Sequence, residues 1–257
     1  MPNTERPCGS AADQAPRARK RALYAQIACV GRALGQPTRL EILEILAQCP
    51  RTVETLSALL DVELKSVSAH LKVLLRSGLV SVRRHGRFRQ YAVSSPEVIE
   101  LAVMLQQTAR AAAGAAREYR SSGLDKAVPG SGGGLDLETA LRLAESGELL
   151  LLDVRPPEEY AAGHLPHAVN LPLETLGQTM AGLPQDTPCA AYCRGSCCFL
   201  AQRAAEVFAR QGRELLVIDA GVMDWMGTGR GALLQRETDG AAPQAATVNP
   251  AGRNTFL

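Results

Sequence analysis

Four cysteines crowd one short stretch of this 257-residue chain, which has seven cysteines in all. Cys189, Cys193, Cys197 and Cys198 lie within PCAAYCRGSCCFLAQRAAEVFAR, residues 188–210. The N-terminal sequence has no signal-like apolar segment and no run of about 18 apolar residues occurs, so we expect a soluble, cytoplasmic protein with no membrane partner. In a reducing compartment such a cluster is typical of a reactive, redox-active or metal-binding site rather than a disulfide framework.

Charge and composition divide the chain near residue 122. Residues 1–122 carry 18 Lys+Arg against 10 Asp+Glu, a net charge of +8, whereas residues 123–257 carry 10 against 16, a net charge of −6. The basic half predicts a polyanionic partner and the acidic half does not. The predicted segments are a disordered tail (1–19), a basic domain (20–121), a flexible Gly- and Ser-rich linker (122–134), an α/β domain (135–235) and a disordered tail (236–257).

The basic domain has the pattern of a mainly α winged helix-turn-helix. Apolar residues recur at helical spacing in residues 17–34 and in QPTRLEILEILAQ, and the short helix TVETLSALL precedes the helix in ELKSVSAHLKVLLRSG. The predicted buried stripe of that last helix consists of Leu64, Val67, Leu71 and Leu74. After Gly78 the period changes to two, and LVSVRR and RFRQYAV flank His85 and Gly86, which predicts a tight hairpin.

The exposed face of this helix and the hairpin together predict a DNA-binding surface. Small and cationic side chains suit a helix that lies in a major groove, and arginines suit a wing that contacts phosphates. For the hairpin alone, the alternative is that its arginines are solvated charges on an edge strand. The predicted DNA-contacting residues are Lys65, Ser66, Ser68, His70, Lys72, Arg83, Arg84, Arg87 and Arg89.

The segments ALGQPTRLEILEIL and SVSAHLKVLLRSGLVSVRRHGRFRQYAV resemble the ArsR family of winged-helix repressors, over about residues 20–120. The resemblance implies a homodimer, held by helices around residues 23–34 and 98–119, on double-stranded, near-palindromic operator DNA. The last helix supports this through an apolar or small-residue stripe of Val98, Leu101, Leu105, Thr108 and Ala112. The alternative is a monomer whose stripe packs on its own core.

Metal-sensing members of that family have ligands that are missing at the matching positions here. TVETLSALLDV has no cysteine and PEVIELAVMLQQTARAAAGAAREY has no histidine, so we expect no metal at these places. Cys29 and Cys49 are predicted to be buried small residues of the helical core. The alternative, a sulfide-responsive bridge like that of some relatives, stays open.

The acidic half alternates strands with helices. An apolar strand over residues 149–152 leads into a polar loop that starts at Asp153, PCAAYC predicts a strand ending at Cys193, and a helix and ELLVIDAG follow. This order predicts a wound parallel sheet with ligands at the carboxyl ends of its strands. A thiol between a strand end and a helix N-terminus, beside Arg194, favours the thiolate. We therefore predict Cys193 to be the most acidic and most reactive thiol.

The motifs LLDVRPPEEYAAGHLPHAVNLP, YCRGSC and GVMDW resemble the rhodanese family of sulfurtransferase domains, over about residues 135–235. The resemblance implies that Cys193 takes up a sulfane sulfur as a persulfide and that Arg194 can hold an anionic donor. It also implies that loops around the site are fixed by Asp153, Arg155, Glu159 and His164. The residues whose backbone amides would cradle the sulfur are Arg194, Gly195, Ser196, Cys197 and Cys198.

Two departures from the rhodanese pattern bear on the substrate. Cys197 and Cys198 stand where thiosulfate-using members have a cation, and Phe199 stands where related phosphatases and arsenate reductases have an arginine. The first departure disfavours thiosulfate as a substrate, and the second disfavours phosphatase and arsenate-reductase chemistry. Tyr192 and Cys198 are similar to residues of rhodanese domains fused to ArsR-type repressors, and this implies that Cys198 resolves a persulfide on Cys193. The alternative is that Cys197 and Cys198 only pack, and Cys189 is predicted to be buried.

Together these patterns predict a DNA-binding repressor whose second domain senses or carries sulfane sulfur, or another thiol-reactive signal, from a small effector. The predicted catalytic residues are Cys193, Arg194 and Cys198, and no cofactor is expected. Two alternatives stay open. One is a sulfurtransferase as the main activity, and the other is a soft-metal or arsenite sensor that uses Cys193, Cys197 and Cys198 as ligands.

Overall fold

The computed structural model describes residues 11–112 and 135–237. A helical domain with a two-stranded hairpin occupies the first range, and an α/β domain occupies the second. Residues 1–10, the end of the predicted dimerisation helix (residues 113–119), the predicted linker and residues 238–257 lie outside the described residues.

The elements of the first domain follow the order of a winged helix-turn-helix. They are α1 Ala11–Leu34, α2 Pro37–Gln48, α3 Val53–Leu60, α4 Leu64–Arg76, β1 Val80–His85, β2 Phe88–Val93 and α5 Pro96–Ala112. Thr52 accepts a hydrogen bond from the amide of Thr55 and so caps α3. Because α1 begins at Ala11, residues 11–19 are helical rather than the disordered tail that the sequence predicts.

The core of this domain lies between α2, α3, α4 and the hairpin. Ile42, Leu56, Val67 and Leu71 are fully buried, whereas Leu64 is 47% exposed, because α4 begins there, one turn before its buried stripe. The strands β1 and β2 are antiparallel, with His85 opposite Phe88 across a two-residue loop. Gly86 has a φ of 60° in this loop, as a tight hairpin requires at its first loop position.

The first helix packs on its own domain only near its end. Ala33 and Leu34 are buried, but Leu23, Tyr24 and Ile27 are exposed. Cys29 lies on this free part of α1 and is exposed, so the prediction that it is buried is wrong. Cys49, at the end of α2, is half-buried, and both thiols are free.

The second domain confirms the predicted α/β class. Its elements are α6 Leu137–Glu145, β3 Leu150–Asp153, α7 Pro157–Ala162, β4 Val169–Asn170, α8 Leu176–Thr179, β5 Cys189–Cys193, α9 Leu200–Arg210, β6 Leu216–Gly221 and α10 Val222–Trp225. The strands are parallel in the order β4-β3-β5-β6. Asp153, predicted to begin a loop, is instead the last residue of β3.

Alternate residues of the central strands point to opposite sides of the sheet, as the pleat requires. Leu152 and Ala191 join one core with Phe208 of α9, and Leu151 and Ala190 join the other with residues of α6. The chain after α10 returns to α7, where Gln235 pairs with His164 and the amide of Glu237 donates to the carbonyl of Ala161. Residues 236 and 237, predicted to be tail, are therefore held in place.

Candidate functional site

The predicted sulfur-binding loop, residues 194–198, leads from β5 toward α9. Cys193 is the last residue of β5, lies opposite Gly221 of β6 and is 2% exposed. The helix α9 begins only at Leu200, after the loop. The backbone amides of Ala201 and Gly195 nevertheless act on the sulfur of Cys193 and favour its thiolate. Cys193 thus lies at a strand end, as predicted, and the loop separates it along the chain from the N-terminus of α9.

The two buried thiols shift each other's pKa in opposite directions. Burial raises the pKa of Cys193 well above its ordinary value, and its hydrogen bond to Cys198 raises it further. That same hydrogen bond lowers the pKa of Cys198 to about 6 against the effect of burial, helped by the amides of Leu200 and Arg194 and by the Arg194 charge. These directions favour the thiolate of Cys198 over the predicted thiolate of Cys193, because the donors converge on Cys198.

Only part of the predicted amide cradle faces the sulfur. The amide of Ser196 donates to Oδ2 of Asp224 at 2.8 Å, and the amide of Cys198 donates to the carbonyl of Gly195 at 2.9 Å. Asp224 also accepts from the amide of Gly221 at 2.9 Å. A Cβ at Gly221 would lie 2.7 Å from the amide nitrogen of Gly195, so only glycine fits. The motif GVMDW resembles the rhodanese family, but the sequence assigned no role to its residues. In the structure, its Gly221 and Asp224 fix the conformation of the loop.

Arg194 is paired inside the protein rather than free to hold an anionic donor. Its Nη2 and Nε donate to Glu159 at 2.7 and 2.9 Å, and the Glu159 side chain is fully buried. Nearby, Arg155 donates to both oxygens of Asp153, and the Tyr192 hydroxyl donates to Asp153 at 2.6 Å. Asp153, Arg155 and Glu159 therefore support the loops, as the resemblance implies.

The remaining candidates have different surroundings. Cys197 is exposed, and its sulfur lies 3.7 Å from Nη2 of Arg110. Lost hydration raises its pKa, while Arg110 acts in the opposite sense. Cys189 is 4% exposed, as predicted. His164 stacks on Tyr160 with 3.7 Å between ring centroids and keeps Nδ1 2.9 Å from the Tyr160 carbonyl. Within residues 11–112 and 135–237, no group of three His, Cys, Asp or Glu residues is placed to hold a metal ion.

The winged-helix domain packs on the side of the α/β domain that carries the sulfur-binding loop. Gln48 accepts from Nη1 of Arg155 at 2.8 Å across 107 residues of sequence, and Arg51 donates to Glu158 at 2.8 Å. Arg110 of α5 donates to the carbonyl of Ser196 in the loop. The apolar part of the contact consists of Ala47, Ala102, Val103 and Met223. Sequence reasoning missed this contact, since no local pattern shows which distant residues meet.

Glu44 of α2 reaches this contact from the DNA-binding domain. One of its carboxylate oxygens, Oε1, is buried and has no hydrogen-bond partner. Burial and, to a smaller extent, the Cys198 charge raise the pKa of Glu44 to about 7, while Arg194 acts in the opposite sense. Glu44 therefore lies close enough to the sulfur-binding loop to respond to its charge.

The predicted DNA-binding residues form a second, separate surface on α4 and the hairpin. Lys65, Ser66 and Lys72 are exposed, and Ser68 and His70 are half-buried. The hairpin arginines Arg83, Arg84, Arg87 and Arg89 are all exposed. Arg84 lies directly opposite Arg89 in the β1–β2 register, a like-charge pair that is unfavourable without a counter-charge. The six predicted cations, Lys65, Lys72, Arg83, Arg84, Arg87 and Arg89, are thus all open to solvent.

Fold and site define a two-domain protein in which a winged helix-turn-helix is joined to an α/β domain with two buried cysteines, Cys193 and Cys198, at the ends of one loop, and known families match both parts. The profile of the arsR family of bacterial regulatory proteins matches residues 36–82, and that of the rhodanese-like domain matches residues 136–228. The HTH-type transcriptional regulator Rv0324 of Mycobacterium tuberculosis is 38% identical over 210 residues, which is 80% of this chain and 90% of that protein. The chain therefore belongs to the ArsR family of transcriptional regulators and carries a rhodanese-like domain.

Other relatives match single domains. A sulfurtransferase of Allochromatium vinosum is 32% identical over 90 residues, which cover 33% of this chain and 78% of that protein. A solution structure of a homodimeric winged helix-turn-helix domain from Mycobacterium bovis, described as a possible ArsR-family regulator, shares 35% identity. The match covers 41% of this chain and 93% of the Mycobacterium bovis chain, with a TM-score of 0.37. Within the described residues, none of the helices has the length and apolar character needed to cross a membrane.

Proposed function

We propose that this regulator is a cytoplasmic repressor that binds operator DNA as a homodimer and responds to sulfane sulfur through Cys193 and Cys198. The observation that carries the proposal is the position of these two buried thiols at the two ends of one loop after β5, where Sγ of Cys193 donates to the carbonyl of Cys198 at 3.4 Å. Such a pair is suited to taking up a sulfur atom and then releasing it by thiol–disulfide exchange.

The chemistry begins with one proton shared by the two thiols. Cys193 attacks the outer sulfur of a persulfide donor RSSH while its proton moves along the existing hydrogen bond to the Cys198 thiolate. The S–S bond of the donor breaks, a Cys193 persulfide forms and RS⁻ leaves. RS⁻ then takes the proton of Cys198, and the restored thiolate attacks Sγ of Cys193. A Cys193–Cys198 disulfide forms, hydrosulfide leaves, and the transferred sulfur is reduced as the two thiols are oxidised.

Exposed apolar residues support the proposed homodimer. Leu23, Tyr24 and Ile27 of α1 are 54 to 64% exposed in the single chain, and Leu101 and Met104 of α5 are 41 and 61% exposed. These are the helices that the family resemblance places at the dimer interface. A second chain that covers them would remove a large apolar surface from water.

Mass spectrometry of the donor-treated protein tests the proposal, with release of DNA measured in parallel. The wild type is expected to form the internal disulfide, and a Cys198→Ser variant is expected to accumulate one extra sulfur on Cys193. A Cys193→Ser variant that gains sulfur and releases DNA as fast as the wild type would overturn the proposal.

A sulfurtransferase is the second candidate, favoured by the similarity of the α/β domain to the sulfurtransferase of Allochromatium vinosum. Its distinguishing property is catalytic turnover. Sustained transfer of sulfur from a persulfide to an added thiol, over many cycles and unaffected by DNA, would favour this function over sensing.

A further inference from the structure

Arg51 connects the wing to the α/β domain. Its backbone pairs with Tyr91 of β2, through an amide-to-carbonyl hydrogen bond of 2.9 Å in one direction and 2.7 Å in the other. Its guanidinium donates to Glu158 at 2.8 Å and to Glu159 at 3.1 Å. Arg51 itself is 7% exposed. A movement of the wing strand therefore acts directly on a buried contact of the other domain.

Glu159 continues this contact to the sulfur-binding loop. Its fully buried carboxylate is shared between Arg51 and Arg194, with Arg194 donating at 2.7 and 2.9 Å. Arg194 is also the first residue of the loop and directly follows Cys193, whose Sγ donates to the carbonyl of Cys198 at 3.4 Å. A buried carboxylate is strongly destabilised when it loses one of its donors, so the two arginines constrain each other through Glu159.

A neighbouring contact ties the same region to the predicted recognition helix. Gln48 of α2 is 6% exposed and accepts from Nη1 of Arg155. The helix α2 also packs on α4 and on α10, which carries Asp224. The elements that position the DNA-contacting residues are thus the ones that pack around the loop.

We propose that Arg51, supplied by the DNA-binding domain, is a positioning residue of the sulfur-binding loop. Through Arg51, closure of the loop by a Cys193–Cys198 disulfide and binding of DNA weaken each other. The inference rests on the proposed function, since it concerns regulation of the same thiol pair. A Cys193–Cys198 disulfide replaces the hydrogen bond from Cys193 Sγ to the Cys198 carbonyl with a covalent bond between the two ends of the loop, and Arg194 in that loop passes the change to Glu159 and so to Arg51. Because coupling between two binding equilibria is reciprocal, bound DNA also disfavours disulfide formation by the same factor.

The test uses the full chain and a DNA duplex from upstream of its own gene. The Kd of the protein–DNA complex is measured for the reduced protein and again after the loop is closed. Closure is produced once with glutathione persulfide and once with the thiol oxidant diamide. We expect closure to raise the Kd by a factor in the range of about 5 to 150 that is usual for allosteric coupling. An Arg51→Met variant is expected to reduce this ratio to within about twofold of one, and Arg51→Lys to retain part of it.

Two matched variants show whether the path is specific. Glu158→Gln neutralises the more exposed partner of Arg51, whose side chain is 55% exposed, leaves the Arg51–Glu159–Arg194 contacts in place and should keep the wild-type ratio. Arg39→Met removes an arginine whose hydrogen bonds, to Arg32 and Ala33, stay within the DNA-binding domain, and should keep it as well. Thermal unfolding establishes that each variant is folded. If Arg51→Met does not fold, the ratio for Arg51→Lys decides, and a wild-type value overturns the inference.

Several results would overturn the inference. These are a wild-type ratio in Arg51→Met, an equal loss in Arg39→Met, and a wild-type protein whose DNA affinity is unchanged after diamide closes the loop. By contrast, failure of glutathione persulfide to load Cys193, with the diamide effect intact, would count against the proposed sulfur response and leave the coupling established.

Discussion

Gly227, just after α10, lies against Val103 of α5 so closely that a Cβ at Gly227 would be 2.9 Å from Cγ1 of Val103. A Gly227→Ala substitution should therefore disturb the contact between the domains and lower the free energy of unfolding by about 1–3 kcal/mol. Urea unfolding measures this change. Gly177→Ala is the control, because no atom lies within 4 Å of the added Cβ. Equal stability of the two variants would show that α5 does not pack here in solution.

Removing residues from about 125 onward should leave a folded, dimeric, DNA-binding protein. The winged-helix domain has its own core, including Ile42, Leu56 and Leu71. The truncated protein should lose its response to persulfide, since the loop is gone. Sedimentation and DNA binding check both points. Loss of dimerisation would mean that the dimer depends on the contact between Val103 and the second domain.

An Arg84→Ala, Arg87→Ala variant should bind DNA more weakly across all sequences. Each arginine that contacts a phosphate contributes about one unit to the slope of log affinity against log salt concentration, so the slope should fall by up to about two units. Titrations at several salt concentrations measure it. Arg142→Ala, an exposed arginine of α6, should leave both affinity and slope unchanged. An unaltered slope in the double variant would contradict the assignment of the wing.

The Cys198 thiol should ionise with a midpoint near pH 6, because the Cys193 thiol donates a hydrogen bond to its thiolate. Its alkylation rate should fall as the pH drops through that value. In Cys193→Ala the midpoint should rise toward that of an ordinary thiol, since the main donor is lost. Ultraviolet absorbance of the thiolate, with Cys198→Ser as the blank, follows the titration. A wild-type midpoint near the ordinary value of 9 would contradict the loop geometry.

Glu44 should make stability depend on pH with a predictable sign. Its pKa rises from an ordinary 4.5 to about 7 in the folded protein, so the native state binds more protons than the unfolded state between these values. The contribution of Glu44 to stability is therefore present below about pH 4.5 and is lost as the pH rises through 7.

A Glu44→Gln variant isolates this contribution, because its amide does not titrate. The stability of the wild type relative to the variant should fall between pH 4.5 and 7 and then stay constant. Urea unfolding at pH 5, 6, 7 and 8 measures it. The groups that act on the Glu44 charge are Cys198, Arg194, Glu159 and Asp224. A difference in stability between wild type and variant that does not vary with pH would contradict the burial of Glu44.

The sequence by itself determined the elements and the chemistry that they carry. Helical spacing on α4 and the change of period at Gly78 are local patterns that follow from the burial of one face of each element, whereas the short apolar strand that ends at Cys193 is buried on both faces. The hairpin at Gly86 and the position of Cys193 at a strand end followed from these patterns. The family resemblances added the supporting roles of Asp153, Arg155 and Glu159.

Only the tertiary structure decided the surroundings of the two thiols in the sulfur-binding loop. Burial of Cys193 and the donors around Cys198 favour the Cys198 thiolate over the predicted Cys193 thiolate, because a pKa depends on lost hydration and on neighbours from other elements. Asp224, Glu44 and Arg51 reach the loop or its support, Glu159, from distant parts of the chain. Cys29 was left exposed because α1 packs only at its end. Spacing along a chain fixes which residues share a face, but contacts between faces arise only when the domains pack together.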